Sequence, residues 1–78
     1  MNNLNQYNEI FKNVLLLEDE TIQDATIDNV LQWDSLEHFH LVTEIEEKFN
    51  IKFKNEEIAD FISYKSGLEI LRKHGAIE

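Results

Sequence analysis

The stretch Trp33-Asp34-Ser35-Leu36-Glu37-His38-Phe39-His40-Leu41-Val42-Thr43-Glu44-Ile45-Glu46-Glu47-Lys48-Phe49 sets the fold class. At about 100° per residue, Phe39, Leu41, Val42, Ile45 and Phe49 fall on one broad side of a helix. Glu37, His40, Glu44 and Glu47 fall together on the opposite side. Asp34 or Ser35 is a good N-cap, because a short oxygen-bearing side chain there can accept a first-turn N–H. The pattern predicts a helix from Asp34 or Ser35 to Phe49 with an apolar core face and a mostly acidic exposed face.

Upstream, Leu4, Tyr7, Phe11, Val14 and Leu15 recur at helical spacing and predict a first helix from about Leu4 to Leu17. Acids oppose the dipole at a helix C-terminus, so Glu18-Asp19-Glu20 should end it. Between Thr21 and Asp34 the periodicity breaks. Asp24, Asp28, Asn29 and Asp34 alternate with Ile22, Ile27, Val30, Leu31 and Trp33, which reads as a long ordered loop pinned to the core by its apolar residues, with room for one helical turn. Trp33 is expected to anchor that loop. Structureless loops of this length are uncommon in a compact domain unless they have a role.

Downstream, Asn50-Ile51-Lys52-Phe53 is a short extended link. Asn55 can cap a short helix to roughly Phe61, and Ser63 a last one with Tyr64, Leu68 and Leu71 as its stripe. His74-Gly75 supplies a cation-capable last turn followed by a helix-terminating glycine. The expected fold is all-α: a four-helix bundle with three longer helices, a short third helix and a long first loop, forming a single domain over residues 1–78.

Composition narrows the function. The 78 residues are 42% hydrophobic, a globular value that allows one modest core. Sixteen Asp and Glu against seven Lys and Arg give a net charge of -9. Such a surface repels nucleic acid and anionic lipid and attracts proteins with basic patches. The absence of cysteine excludes disulfides, thiolate metal sites and a Cys nucleophile, and is consistent with a cytoplasmic location. Met1-Asn2-Asn3-Leu4 shows no leader pattern, and no apolar run approaches the ~20 residues of a membrane span.

The residues with chemical potential cluster at the start of the acidic helix. Ser35 stands at a helix N-terminus, where free N–H groups and the positive end of the dipole favour a phosphate. Asp34 is an awkward neighbour for a phosphate, but it can help to position a metal or a basic partner. Enzyme-like alternatives fare worse. Asp34, Ser35 and His38 form no hydrolase triad, since Ser35 and His38 are one turn apart on one helix and no Gly-x-Ser-x-Gly elbow exists. Glu37-x-x-His40 is half of a di-iron motif, without the second copy and on the polar face. The Asp24–Asp34 stretch lacks the glycine and closing glutamate of an EF-hand.

Asp34-Ser35-Leu36, Leu41-Val42, Ile45-Glu46-Glu47-Lys48-Phe49 and Ile51-Lys52-Phe53, continued by Glu56-Glu57-Ile58 and Ser63, resemble the acyl carrier and peptidyl carrier protein family. The likeness runs from roughly Leu4 onward and is strongest from Trp33 to Phe53. It implies that Ser35, flanked by Asp34 and Leu36, receives 4'-phosphopantetheine from coenzyme A through a phosphopantetheinyl transferase. It further implies a non-enzymatic carrier that holds acyl or aminoacyl groups as thioesters. A loading ligase and downstream biosynthetic enzymes would dock through basic patches on Glu37, His40, Glu44 and Glu47.

The sequence departs from the fatty-acid type in several places. Trp33 precedes Asp34, Gln32 replaces a glycine, and His40 replaces an acid. Phe49, Phe53 and Phe61 surround the region that would line an acyl pocket. Trp33 is similar to what stand-alone carriers of specialised pathways have there. Such a carrier would be a monomer with no metal site and no nucleic-acid partner. The alternative from another class is an acidic helical interaction module without a prosthetic group.

Overall fold

The computed structural model describes residues 3–77; the Met1-Asn2 pair read for a leader lies outside them. The protein is all-α, with helices α1 (Asn3–Leu15), α2 (Asp19–Ile22), α3 (Ser35–Phe49), α4 (Asn55–Asp60) and α5 (Tyr64–Lys73). No strand forms among the described residues; extended pairing is limited to a single bridge between Thr26 and Ser63. None of the helices is long and apolar enough to cross a membrane.

Among the described residues five helices stand where four were expected, because the acidic run starts a helix instead of ending one. α1 stops at Leu15, and Leu16 takes a left-handed conformation at φ 58°. Glu18 then caps α2, and Asp19 and Glu20 fill its first turn, where carboxylates meet the positive end of the dipole. Lys12 reaches over to Asp19 at 3.0 Å and to Glu9 at 3.0 Å. Both partners hold its ammonium pKa above the usual lysine value, Asp19 more strongly.

The three longer helices share one way of stopping. Leu16, Asn50 (φ 56°) and Gly75 (φ 75°) are all left-handed. The next N–H in each case reaches back five residues: Leu17 to Lys12, Ile51 to Glu46 and Ala76 to Leu71. This arrangement satisfies otherwise orphaned carbonyls. Glycine at Gly75 fits the conformation without strain; leucine at Leu16 does not.

The core joins Tyr7, Ile10, Phe11 and Leu15 of α1 to Leu41, Val42 and Ile45 of α3 and Tyr64, Ile70 and Leu71 of α5. Each of these aliphatic side chains contributes about 1.5–3 kcal/mol on burial. Leu4, placed on the apolar stripe by spacing, is exposed, and Ile10 takes the inward position. The Tyr7 hydroxyl donates to the Tyr64 carbonyl at 2.6 Å, and that of Tyr64 to Asn8 Oδ1 at 2.5 Å. Burial pushes the Tyr7 phenol pKa well up, and the neighbouring Tyr64 adds to the effect. Gly67 is required here: a Cβ would collide with the Tyr7 hydroxyl and come within 2.6 Å of the Phe61 ring.

The segment from Gln23 to Asp34 is ordered by polar contacts as much as by apolar ones. Thr26 Oγ1 accepts from the N–H groups of Asp28 and Asn29, and Asn29 Oδ1 accepts from Thr26 N–H at 2.9 Å. Ile27 N–H donates to the Ile62 carbonyl, and Tyr64 N–H to that of Ala25, each at 3.0 Å. Gln32 Nε2 donates to the Leu15 carbonyl at 3.0 Å. Ile22, Val30 and Trp33 are buried as expected, whereas Ile27 and Leu31 point outward.

Candidate functional site

The geometry of the site begins with Asp34. Its Oδ1 accepts from Glu37 N–H at 3.0 Å, which makes it the N-cap of α3. This commits one of its two carboxylate oxygens to the helix, so the metal- or partner-positioning role considered for Asp34 is restricted to the other. Ser35 is the exposed first residue of α3. Its N–H and that of Leu36 have no hydrogen-bond partner among the described residues, so free donors of the first turn remain beside the hydroxyl.

A cleft of about 530 Å³ opens next to Ser35. Trp33, His38 and Phe61 lie along it together with Ile27, Phe39, Ile58, Ala59 and Ile62, and Asp34 and Ser35 edge it. Of the three phenylalanines expected around such a pocket, the cleft takes Phe61 alone. Phe53 is buried behind it, with ring centroids 5.9 Å apart, and Phe49 is half-buried on α3 outside the lining. The surface supplied instead by Phe39 corrects a second expectation. Phe39 is 66% exposed rather than part of the core face. It lies about 60° beyond Val42 on the helical wheel, outside the arc that meets α1. With Leu36 at 74% exposure, it forms an outward apolar edge between the cleft and the acidic stripe.

The acidic stripe is internally connected. His40 Nδ1 lies 3.2 Å from Glu37 Oε1, and its Nε2 lies 3.8 Å from Glu44 Oε2. Glu47 is exposed further along the helix, and Glu37 is half-buried. Glu46 belongs to the scaffold: its Oε2 accepts from Phe53 N–H at 2.9 Å and fixes the link after α3.

His38 is the residue the sequence reading undervalued. Trp33 Nε1–H donates to His38 Nδ1 at 3.0 Å, and His38 Nε2 lies 3.0 Å from the Ile58 carbonyl. Indole nitrogen can only donate, so Nδ1 must accept, and the ring proton sits on Nε2, donated to Ile58. The imidazole therefore bridges the loop before α3 to α4, and it is not oriented as a base toward Ser35. The wheel held the signal: His38 is three residues before Leu41 and four before Val42, on the buried face.

A second histidine holds α4 at the neighbouring residue. Glu57 Oε1 accepts from Lys54 N–H at 2.9 Å and lies 2.9 Å from His74 Nε2. The His74 ring stacks on Phe53 at 6.3 Å. The Lys54 N–H first, and His74 second, hold the Glu57 carboxyl pKa below its usual value. Lys54 thus precedes α4 as its cap residue, and Asn55, expected as the cap, is the first helical residue.

The site is therefore an exposed serine at a capped helix N-terminus, an apolar cleft beside it and a linked acidic stripe along the same helix. Compared with known proteins, the chain matches no protein-family model and no curated protein sequence.

Proposed function

We propose that this chain is a carrier protein, in which Ser35 bears a 4'-phosphopantetheine arm and partner enzymes perform the chemistry. The observation that carries the reading is the exposed hydroxyl of Ser35 at the start of α3, beside an apolar cleft. A phosphodiester there would meet free N–H groups and the positive end of a 15-residue helix. The Asp34 carboxylate, though negative, is turned in part onto Glu37 N–H, which reduces its conflict with a phosphate. On this reading the fold is the carrier-type four-helix bundle, with α2 a single turn inside its long loop.

In the modification the Ser35 oxygen attacks the pyrophosphate of coenzyme A. An O–P bond forms, the bond to the adenosine bisphosphate half breaks, and the serine proton passes to a base of the transferase. When bound, the arm supplies a thiol for thioester linkage. The chain itself contributes position and recognition. Tethering raises the local concentration of cargo at a docked active site. Glu37, His40, Glu44 and Glu47, edged by Leu36 and Phe39, would meet a basic surface with an apolar centre, in fast and salt-sensitive contacts.

Intact mass after incubation with coenzyme A and a broad-specificity phosphopantetheinyl transferase tests the assignment. Wild type gains one phosphopantetheinyl group, and Ser35→Ala, folded by circular dichroism, gains none. An unchanged wild-type mass favours the interaction module without a prosthetic group. Modification of the alanine variant refutes Ser35 as the attachment point.

A further inference from the structure

We propose that His38 is a proton-operated latch: neutral, it pins α4 across the cleft beside Ser35; protonated, it releases that wall. The inference does not depend on the arm, since it concerns the unmodified chain.

Helix α4 is loosely held. Its six residues bury no side chain fully; Ile58 and Glu57 are half-buried. Its flanks are anchored, with Phe53 and Phe61 in the core, and the helix between them is held by Ile58, which packs partly against the core, and by two imidazoles. His38 donates to the Ile58 carbonyl, and His74 meets the Glu57 carboxylate.

The two ties respond to protons in opposite ways. A second proton on His38 must go to Nδ1, where the Trp33 N–H already points at 3.0 Å. Two donors then face each other, and Trp33 is only 5% exposed, so water cannot readily replace the lost acceptor. The ring must leave the indole, and that movement carries Nε2 off Ile58. Protonation of His74, by contrast, turns a hydrogen bond to Glu57 into an ion pair. Acid therefore breaks the tie from His38 to the Ile58 carbonyl while the one from His74 to the adjacent Glu57 remains, so the wall loosens on the side that faces Ser35.

Other charged groups nearby do not supply this asymmetry. Among the described residues Asp34 is the one other ionisable side chain on the cleft, and it caps α3. On α4, Glu56 and Asp60 are exposed, and Glu57 faces His74. Glu37, beside His38 on α3, pairs with His40, and the preceding loop adds the exposed Asp24 and Asp28. From α1 the neighbour of the Trp33 ring is Phe11, and from the end of α4 that of His38 is Phe61.

Trp33 is the sole tryptophan, so its emission and its indole N–H resonance read the latch directly. When the pH is lowered from about 8 until His38 takes a second proton, wild type should show a red shift of emission. The indole resonance should move in step with the His38 ring, and protection of the α4 amides should fall by about tenfold. His38→Gln keeps a donor and an acceptor but cannot take a proton, and should abolish the transition; His74→Gln should leave it intact. The proposal is overturned if His38→Gln retains the transition. It is equally overturned if ring nitrogen spectra of wild type place the neutral proton on Nδ1, or show His38 titrating while the indole resonance stays still. The wild-type spectra decide the matter even if a variant fails to fold.

Discussion

Two walls of the same small core are built differently. Where α1, α3 and α5 meet, Leu15, Leu41, Ile45 and Leu71 are fully enclosed, and the buried Tyr7 hydroxyl finds the Tyr64 carbonyl. Across the molecule, α4 closes the cleft beside Ser35 without burying any side chain fully, and two histidines tie it down. The first wall is held by area removed from water, which acts through the whole fold. The second is held by directed polar contacts that can be lost one at a time. A cleft wall built in this way can open without unfolding the protein, since local opening draws on the least packed elements.

Deleting the same atoms on each side gives the largest expected contrast. Ile45→Ala removes a fully enclosed side chain and should cost about 2–5 kcal/mol. That is a large share of the roughly 4–12 kcal/mol expected for a chain of this size. Ile58→Ala removes a half-buried one and should cost about 1 kcal/mol. Denaturant unfolding checks both values, and amide exchange adds the sharper distinction. Ile45→Ala should lower protection throughout, Ile58→Ala chiefly within α4. Equal costs at the two positions would break the comparison.

The enclosed wall was legible in the sequence, and the cleft wall much less so. Tyr7, Phe11, Leu15, Leu41, Val42, Ile45 and Leu71 recur at helical spacing because one continuous face must meet the core, and periodicity reports that directly. The capping role of Ser63 was equally plain, and the cap of α3 was narrowed to Asp34 or Ser35, of which Asp34 takes the role, since each is an oxygen-bearing residue before a periodic run. Periodicity says little about α4, whose hold comes from His38 and His74 reaching it across 20 and 17 residues. Glu18-Asp19-Glu20 misled for a related reason: acids mark an end of a helix, but whether they close one or open the next depends on Leu16 turning left-handed, a strained choice for leucine. At the site, the place of Ser35 on α3 followed from capping and pattern. The cleft lining did not, because Ile27, Ile58 and Ile62 come together through the Ile27–Ile62 and His38–Ile58 contacts.

Leu16 offers a smaller effect of opposite sign. It is 76% exposed at φ 58°, so its side chain gains little from burial while its backbone is strained. Leu16→Gly should relieve that strain and stabilise the fold by about 1 kcal/mol. For a domain of this size this corresponds to a melting temperature about 4–8 °C higher. Because α1 belongs to the enclosed wall, the gain should appear as slower global unfolding, with the local opening of α4 unchanged. A loss of stability would show that Leu16 packs in a way its exposure denies.

The smallest effect is read from pH. Glu57 has its carboxyl pKa lowered by the Lys54 N–H and by His74, so the folded state favours its ionised form. A lowered carboxyl pKa adds stability that is fully present above the ordinary glutamate value of about 4.3 and is lost as pH falls through the depressed folded-state value. Glu57→Gln keeps a carbonyl oxygen for Lys54 N–H and removes the charge, so near neutral pH it should cost about 1 kcal/mol or less. As pH falls through the depressed folded-state value the variant and wild type should converge, because wild type then loses the same charge. The His38 tie is a separate contact, to the Ile58 carbonyl, so Glu57→Gln should leave the Trp33 transition in place. Should Glu57→Gln abolish the Trp33 transition as His38→Gln does, the two ties act as one, and the division between them disappears.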